Sequence, residues 1–326
     1  MTYKPWIVEL EITHRCNLMC KHCYLQPQKK KDMPFLFIKK LLPFLKKLGT
    51  QDIILTGGEP LLYPKLKEVI QELKKYQFRV TLQTNGTLLN SSLIPKFLEN
   101  VDRIQVSFDY GKGKVRPKIN IEAIRKLSKL TYVYLFVTLH RNNYPYFNTM
   151  LKIAHKNDLP IGFNVFIPIG RGKEVKDISF KKEEFLEVLK HLMQAYQNKK
   201  ILRPSCPLTS LLRKIPSKLL STSSIKGGCI AGVTALSITP QGNVLPCPFL
   251  RISAGNLYHE NLYNIWNKSK LLILLRNRKK FKGKCKNCEY LSICGGCRSR
   301  AYYLAGDLLG EDPWCFKDLI LNRCQQ

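Results

Sequence analysis

The sequence predicts an α/β protein: a partial (β/α)6 TIM-like barrel over residues 1–200, followed by a small cysteine-rich domain over residues 201–326. Segments with strand character alternate six times with helical segments before residue 200, which is typical of parallel strands with helices outside. After residue 200 the long helical patterns fade, and eight of the twelve cysteines lie between Cys206 and Cys315. Because apolar residues are sparse there, we expect bound metal to organise the second domain.

Each predicted strand is followed by a predicted helix. The strands are Trp6–Thr13, Asp52–Gly58, Arg79–Gly86, Arg103–Asp109, Tyr132–His140 and Ile161–Gly170. The helices are 35–48, 65–77, 92–99, 119–130, 147–157 and 182–198. Functional loops of such barrels lie at the carboxyl ends of the strands, so the loops after the first and second strands should meet in space.

The composition is strongly basic, with a formal net charge of +31 from 54 Lys+Arg and 23 Asp+Glu. Segments such as "FIKKLLPFLKKLG" place the lysines in solvated stripes beside apolar ones, so we do not expect nucleic acid as a partner. An RNA-modifying enzyme remains an alternative that would use this basic surface. The first residues lack a signal-peptide pattern and no segment has the length of a membrane span, so we expect a cytoplasmic chain.

The first cysteine motif is "CNLMCKHCY", which places Cys16, Cys20 and Cys23 directly after the first predicted strand. Clustered cysteines in a cytoplasmic chain bind metal more often than they form disulfides. A closed zinc site has four ligands, and this motif offers three cysteines. It therefore favours an iron–sulfur cube with one iron left open. The alternative is a zinc knuckle that takes His14 or His22 as its fourth ligand.

The second motif is "LTGGEP", Leu55–Pro60, at the end of the second predicted strand. Gly57 and Gly58 let backbone atoms approach a ligand closely, and Glu59, followed by Pro60, can receive an ammonium group. A glycine pair alone carries little information. Its position one strand after a loop with three cysteines favours the open iron site over the zinc knuckle.

With these two motifs and the partial barrel, the sequence over Trp6–Asn198 resembles the radical SAM superfamily. The resemblance implies that S-adenosylmethionine (SAM) chelates the open iron through its amino and carboxylate groups. An electron from the cluster then breaks the sulfonium bond, and the resulting 5′-deoxyadenosyl radical takes a hydrogen atom from the substrate. The same resemblance implies cofactor-binding roles for His22, Gly57, Gly58, Glu59, Pro60, Thr84, Asn85, Ser107 and Asp109.

Among these residues, His22 is similar to a residue that contacts adenine, and the alternative is a plain loop histidine. The ends of the third and fourth strands would hold the SAM carboxylate and ribose, or would be ordinary strand-end turns. Residues Asn164 to Pro168 are a further candidate for adenine contact. One segment departs from the family pattern: "DYGKGKVRPKIN" is a short basic loop where relatives often carry a long one.

The later cysteines resemble those of a SPASM domain, which holds auxiliary iron–sulfur clusters. By that pattern, one cluster would be held by Cys285, Cys288, Cys294 and Cys315. A second would be held by Cys229, Cys247, Cys297 and, upstream, Cys206. The last spacing is x2 where relatives often have x3, and the alternatives are a missing cluster, a smaller [2Fe–2S] cluster or a zinc ribbon. Cys324 is left over as a free thiol.

The string "CGGCRSRAYYLAGDLLGEDPWC" is similar to SPASM enzymes of haem synthesis that decarboxylate or trim tetrapyrrole side chains. Peptide-acting members carry related strings, so a maturase of a ribosomally made peptide or protein is the alternative. The fifteen residues before Cys16 leave no room for a fused leader-binding domain, and the basic excess suits a substrate with carboxylates. The glycine–glutamate motif argues against a non-catalytic iron–sulfur scaffold. We expect an electron donor such as ferredoxin or flavodoxin, and no catalytic side chain is assigned.

Overall fold

The computed structural model describes residues 3–26, 31–89, 96–212 and 225–321. Its strands are β1 (Ile7–Thr13), β2 (Asp52–Gly57), β3 (Arg79–Thr84), β4 (Arg103–Ser107), β5 (Asp109–Gly111), β6 (Lys114–Arg116), β7 (Tyr132–Leu139), β8 (Ile161–Val165), β9 (Ala235–Ile238), β10 (Asn243–Leu245) and β11 (Gly255–Asn256). Its α-helices are α1 (Phe35–Lys47), α2 (Leu66–Lys75), α3 (Ile121–Leu127), α4 (Phe147–Lys156), α5 (Lys182–Gln197), α6 (Leu262–Lys268), α7 (Lys270–Arg276), α8 (Arg298–Ala305) and α9 (Lys317–Leu321). None of the helices in the described ranges has the length and apolar character of a membrane span.

The main sheet has nine strands in the order β11-β10-β9-β1-β2-β3-β4-β7-β8. The run from β9 to β8 is parallel, while β10 pairs antiparallel with both β9 and β11. Strands β1, β2, β3, β4, β7 and β8 are the six predicted ones, each within a few residues of its predicted bounds. The predicted α/β class with a partial barrel is confirmed.

Apolar and polar side chains alternate along β1, so this strand contributes to both the hydrophobic core and the candidate site. Val8, Leu10 and Ile12 are fully buried and belong to the hydrophobic core. The residues between them are polar and also buried, among them Glu9 and Glu11. Successive side chains of a strand point to opposite faces, so the face of β1 turned away from the apolar core is lined with carboxyl side chains.

The helices cover the outer face with amphipathic stripes. In α1 the buried residues are Ile38, Leu41, Leu42 and Leu45, a spacing that puts them on one face. The lysines that account for much of the basic charge alternate with this stripe, as the pattern predicts.

Two predicted segments differ in the structure. The basic segment after β4 is a β-hairpin of β5 and β6, because Lys112 and Gly113 both adopt positive φ in a two-residue turn. The predicted helix 92–99 is described only from Lys96, where a short 3-10 helix, Lys96–Asn100, follows β3.

The cysteine-rich region joins the barrel sheet. Strand β9 pairs in parallel with β1, with Ile7 opposite Ala235 and Glu9 opposite Ser237. Trp266 is buried in the common core, and its indole nitrogen donates to the Tyr3 carbonyl at 3.0 Å. Hydrogen bonds therefore cross the predicted boundary at residue 200, and the division into two domains stays a prediction. Cys324 lies outside the described residues.

Candidate active site

The cysteine loop, residues 16–23, leaves the carboxyl end of β1. The thiols of Cys16, Cys20 and Cys23 are all free, and the three residues are partly exposed. Burial raises the pKa values of Cys16 and Cys20, and the nearby Cys23 thiol raises both further. The three thiols are thus neighbours that would repel one another as thiolates, although no three His, Cys, Asp or Glu side chains of the described ranges converge on a position for a single metal ion.

An ion pair that sequence reasoning missed holds the start of this loop. The Arg15 guanidinium donates to both carboxylate oxygens of Asp32, at 3.0 and 2.7 Å, and to the Leu62 carbonyl at 2.6 Å. The Thr13 hydroxyl donates to the same carboxylate at 2.6 Å. These contacts fix the direction in which the chain leaves β1.

The glycine pair after β2 packs directly on the cysteine loop. Gly57 has φ of 134°, and a Cβ there would lie 2.0 Å from the Thr13 carbonyl oxygen. A Cβ on Gly58 would lie 2.2 Å from the carbonyl oxygen of Arg15. The amides of Gly58 and Glu59 donate to these same two carbonyls at 2.7 Å each. Only glycine permits this contact, so the pair joins the two predicted motifs.

Glu59 is buried at the centre of this junction, just before a short 3-10 helix that Pro60 begins. One carboxylate oxygen accepts from the Leu61 amide and the Thr84 hydroxyl, and the other accepts from the Asn85 amide at 2.7 Å. Burial raises its pKa, and these three hydrogen bonds oppose the rise. A carboxylate has about four acceptor positions, so one remains for a ligand.

Asn85 connects this junction to the cysteine loop. Its side-chain amide donates to the Asn17 side chain at 2.8 Å and lies 3.9 Å from the Cys16 sulfur. Thr84 and Asn85 therefore lie beside Glu59 and the first cysteine, and their contact with SAM stays a prediction. Asn17 is an additional member that its position between two cysteines could have indicated.

A second cluster of polar side chains lies at the carboxyl ends of β4 and β7. The rings of His22 and His140 are 5.8 Å apart, and burial lowers the pKa of His22. The His140 Nε2 lies 3.7 Å from the Asp109 carboxylate, which also accepts from Asn143 at 2.8 Å. His22 and Asp109 thus lie near one another on either side of His140, which no sequence motif marked, and their cofactor-binding roles stay predictions.

The remaining barrel candidates are less tightly connected. Ser107 ends β4 and is exposed. In the predicted adenine segment, the Asn164 side chain accepts from the adjacent Val165 amide, and the Phe166 ring packs edge-on against His140. His14 is a poor fourth ligand for the zinc-knuckle alternative, because both of its ring nitrogens already have partners. These partners are Glu11 at 3.0 Å and Gln241 at 3.3 Å.

The later cysteines form neighbouring groups. Burial raises the pKa of Cys247 well above its usual value, and the nearby Cys229 and Cys297 thiols raise it further. Burial raises the pKa of Cys297 to about 11, with Cys229 again a contributor. These three cysteines lie together, as the predicted second auxiliary cluster requires.

The other predicted set also comes together. Burial raises the pKa of Cys315, with Asp312, Cys285 and Cys288 adding to the rise. Burial likewise raises the pKa of Cys294, with nearby Cys315 contributing. The four cysteines of the predicted first auxiliary cluster are therefore linked as neighbours.

Cys206 lies between the two sets. Burial raises its pKa, the Cys294 thiol is a neighbour, and the Arg300 guanidinium donates to its sulfur at 3.6 Å. Arg300 is buried and paired with Asp312, which also accepts from the Cys297 amide at 2.7 Å. The assignment of Cys206 as the fourth ligand of the second cluster stays a prediction.

Arg278 binds the two cysteine segments together. Its guanidinium donates to the carbonyls of Leu291 and Ser292 on one segment and of Gly227 and Cys229 on the other, at 2.7–3.0 Å. One buried cation thus holds four backbone acceptors in a region of the chain with little regular structure.

A comparison with family models decides the identity of the barrel region. The model described as "Radical SAM superfamily" matches residues 10–179. The chain belongs to the radical SAM superfamily. It is a radical SAM enzyme, and its cofactors are a [4Fe–4S] cluster and SAM. The SPASM model, described as "Iron-sulfur cluster-binding domain", matches residues 229–289 and implies auxiliary iron–sulfur clusters. The cysteine loop and the unused acceptor position of Glu59 fit this cofactor pair.

Similar proteins include both haem synthases and peptide maturases. An AdoMet-dependent heme synthase of Methanosarcina barkeri is 28% identical, with 97% of each chain covered. The mycofactocin maturase MftC of Mycolicibacterium smegmatis is 24% identical over 95% of this chain and 82% of its own. Among solved structures, SuiB of Streptococcus suis bound to S-adenosylmethionine superposes with a TM-score of 0.75, at 18% identity, covering 96% of this chain and 77% of its own. This last similarity concerns the fold.

Proposed function

We propose that this enzyme decarboxylates or trims a carboxylate side chain of a tetrapyrrole in haem-type biosynthesis. The observation that carries the proposal is the similarity to AdoMet-dependent heme synthase, which extends over 97% of both chains. Chains of nearly equal length that align from end to end share the barrel and the cysteine-rich region together. The string between Cys294 and Cys315 and the net charge of +31 support the same substrate class.

Within this function, Cys16, Cys20 and Cys23 hold the SAM-binding cluster, and Glu59 accepts the SAM ammonium at its unused acceptor position. When bound, the cluster and SAM supply the 5′-deoxyadenosyl radical that takes a hydrogen atom from the substrate. His22 and Asp109, joined by His140, would contact the nucleoside of SAM. The glycine pair keeps the cysteine loop in contact with the loop after β2, so SAM would bind against a rigid surface.

Conversion of a propionate side chain to a vinyl group removes one hydrogen atom and one CO2 and leaves one electron. The electron passes to an acceptor of the iron–sulfur class, and reduction of the enzyme needs a donor such as ferredoxin or flavodoxin. The auxiliary cysteines, from Cys229 to Cys315, lie in the region of the chain suited to this electron transfer.

The direct test incubates the anaerobically reconstituted enzyme with SAM, dithionite and an iron porphyrin that carries four propionates. We expect 5′-deoxyadenosine and a porphyrin that has lost CO2 and two hydrogens per converted side chain, detected by mass spectrometry. The Cys16→Ala variant is the control and should form neither. Release of 5′-deoxyadenosine with unchanged porphyrin would contradict the proposal.

A second candidate is a maturase that modifies a ribosomally made peptide. The similarity to MftC over 95% of this chain favours it. Its test replaces the porphyrin with peptides encoded beside the gene, and a mass change in one of them would decide for this function.

A further inference from the structure

A cavity of about 360 Å³ lies where the open barrel is completed by the cysteine-rich region. Gly170 and Lys173, which follow β8, line one side, while Thr239 and Asn243, from the β9–β10 hairpin, line another. Strand β8 is one edge of the nine-stranded sheet, and β9 and β10 lie toward the opposite edge. The cavity therefore lies at the lateral opening of the partial barrel.

The cavity is next to the cysteine loop. Tyr24, which lines it, directly follows Cys23. The Gly172 amide donates to the Cys23 carbonyl at 3.3 Å, and a Cβ on Gly170 would lie 2.1 Å from the Tyr24 carbonyl oxygen. The segment that carries Lys173 is thus held against the cysteine loop, so a molecule in the cavity lies beside the reactive centre.

Two residues of the cavity wall carry buried hydroxyls that lack partners within the described ranges. The hydroxyls of Tyr24 and Thr239 are buried, and neither has a hydrogen-bond partner within the described ranges of the chain. Thr239 is only 3% exposed. Buried hydroxyls are nearly always hydrogen-bonded in folded proteins, so a polar ligand at this wall would supply the partner that these two lack.

The charged groups of the wall are cationic. Lys173 and Arg251 line the cavity, and no carboxylate lines it among the residues that the structure describes. The guanidinium of Arg251 is held by the Glu11 carboxylate behind it through two of its five N–H groups, so three remain. Lys173 is exposed, its ammonium lies 5.5 Å from the Tyr303 ring, and it forms no ion pair with any other described residue.

We propose that this cavity binds a carboxylate group of the substrate, with Lys173 as the pairing cation and the hydroxyls of Tyr24 and Thr239 as hydrogen-bond donors. The inference rests on the proposed function, since it places one acidic side chain of the substrate beside the cysteine loop. A volume of about 360 Å³ suits one side chain and the edge that bears it, rather than a whole macrocycle. The same chemistry would hold a glutamate side chain of a peptide.

The first experiment measures binding to the anaerobic holoenzyme with SAM. The probes are an iron porphyrin with four propionates and its tetramethyl ester, followed by absorbance titration. Lys173→Met should weaken binding of the acid about ten-fold, equivalent to about 1.4 kcal/mol, and leave the ester unaffected. Lys176→Met is the matched control, because Lys176 is exposed on the same 3-10 segment, Gly170–Ile178, and does not line the cavity. The affinity of the Lys176→Met variant for the acid porphyrin should stay within about two-fold of wild type.

The second experiment measures directly how well each probe protects the Lys173 amine from acetylation. Acetylation of Lys173 and Lys176 by an activated ester is quantified by mass spectrometry with each porphyrin present, and with a glutamate-rich peptide or its glutamine counterpart. Selective protection of Lys173 by the acid porphyrin supports the inference. Protection by the glutamate peptide alone also supports carboxylate binding and contradicts the tetrapyrrole assignment. Equal protection by acid and ester, or no protection by any carboxylate probe, overturns the inference without deciding the proposed function.

Discussion

Replacement of Glu59 by glutamine tests how the site holds SAM. The carboxylate accepts three hydrogen bonds, two on one oxygen and one, from the Asn85 amide, on the other. A glutamine amide has a single oxygen, so its best orientation keeps the two bonds from Leu61 and Thr84. Its NH2 group then faces the Asn85 amide, donor against donor.

Two effects of different size follow. The Asn85 amide loses its acceptor in a buried place, which costs about 1–3 kcal/mol of folding free energy. The SAM ammonium loses its buried carboxylate partner and meets an NH2 group, which costs about 2–5 kcal/mol of binding free energy. The smaller binding value corresponds to about a thirty-fold weaker Kd. Iron content should stay near that of wild type, because Glu59 is outside the cysteine set.

The assay is equilibrium dialysis of SAM against the anaerobically reconstituted protein, with iron analysis and a thermal melt of the same samples. Glu122→Gln is the matched control, because Glu122 is exposed on α3 and forms its ion pair with Lys126 one turn later. Its SAM affinity should be unchanged, and its stability should change by less than about 0.5 kcal/mol. A Glu59→Gln variant with intact iron and wild-type SAM affinity would place the ammonium partner elsewhere.

Three further predictions concern the clusters and the barrel interior. Alanine at all three cysteines of the cysteine loop should remove about four of about twelve irons after anaerobic reconstitution, and zinc without labile sulfide in the wild type would contradict the cluster assignment. Cys285→Ala with Cys288→Ala should still release 5′-deoxyadenosine slowly with dithionite but form no product, whereas joint loss of the first cluster and of the helical circular-dichroism signal would contradict the division into two domains. Burial raises the pKa of Glu9 from 4.5 to about 8, so the folded chain keeps a proton that the unfolded chain loses. Stability should therefore fall by about 1.4 kcal/mol per pH unit between pH 5 and 8, and thermal melts of Glu9→Gln at pH 6 and pH 8 should lack this contribution to the slope.

The sequence predicted best those features that short spacings encode. The first strand, the cysteine loop and the glycine pair are all marked by local patterns, and each lies where it was expected. No local pattern marked the ion pair of Arg15 with Asp32 or the contact of His140 with Asp109, because each joins residues far apart in the chain. The hairpin of β5 and β6 was missed because its strands are only three residues long each.

The pairing of β9 with β1 was the largest omission, and it has a functional consequence. Strand β1 carries the cysteine loop, and its polar residues contact the cysteine-rich region in succession: Glu9 lies opposite Ser237, and Glu11 pairs with Arg251. His14, at the end of β1, contacts Gln241. The region that carries the auxiliary cysteines is therefore anchored on the strand that positions the first ones.

This anchoring also places residues of the cysteine-rich region in the wall of the lateral cavity. Its cations come from different elements of the chain, Lys173 after β8 and Arg251 after β10, and Tyr24, directly after the cysteine loop, also lines it. Loss of the Arg251–Glu11 pair would leave a buried carboxylate without its cation, a change that costs about 3–5 kcal/mol in buried pairs. Glu11 is fully buried, so the wall would rearrange rather than simply lose one contact. The substrate recognition proposed for this cavity and the packing of the two cysteine-bearing regions therefore share the same few contacts along β1.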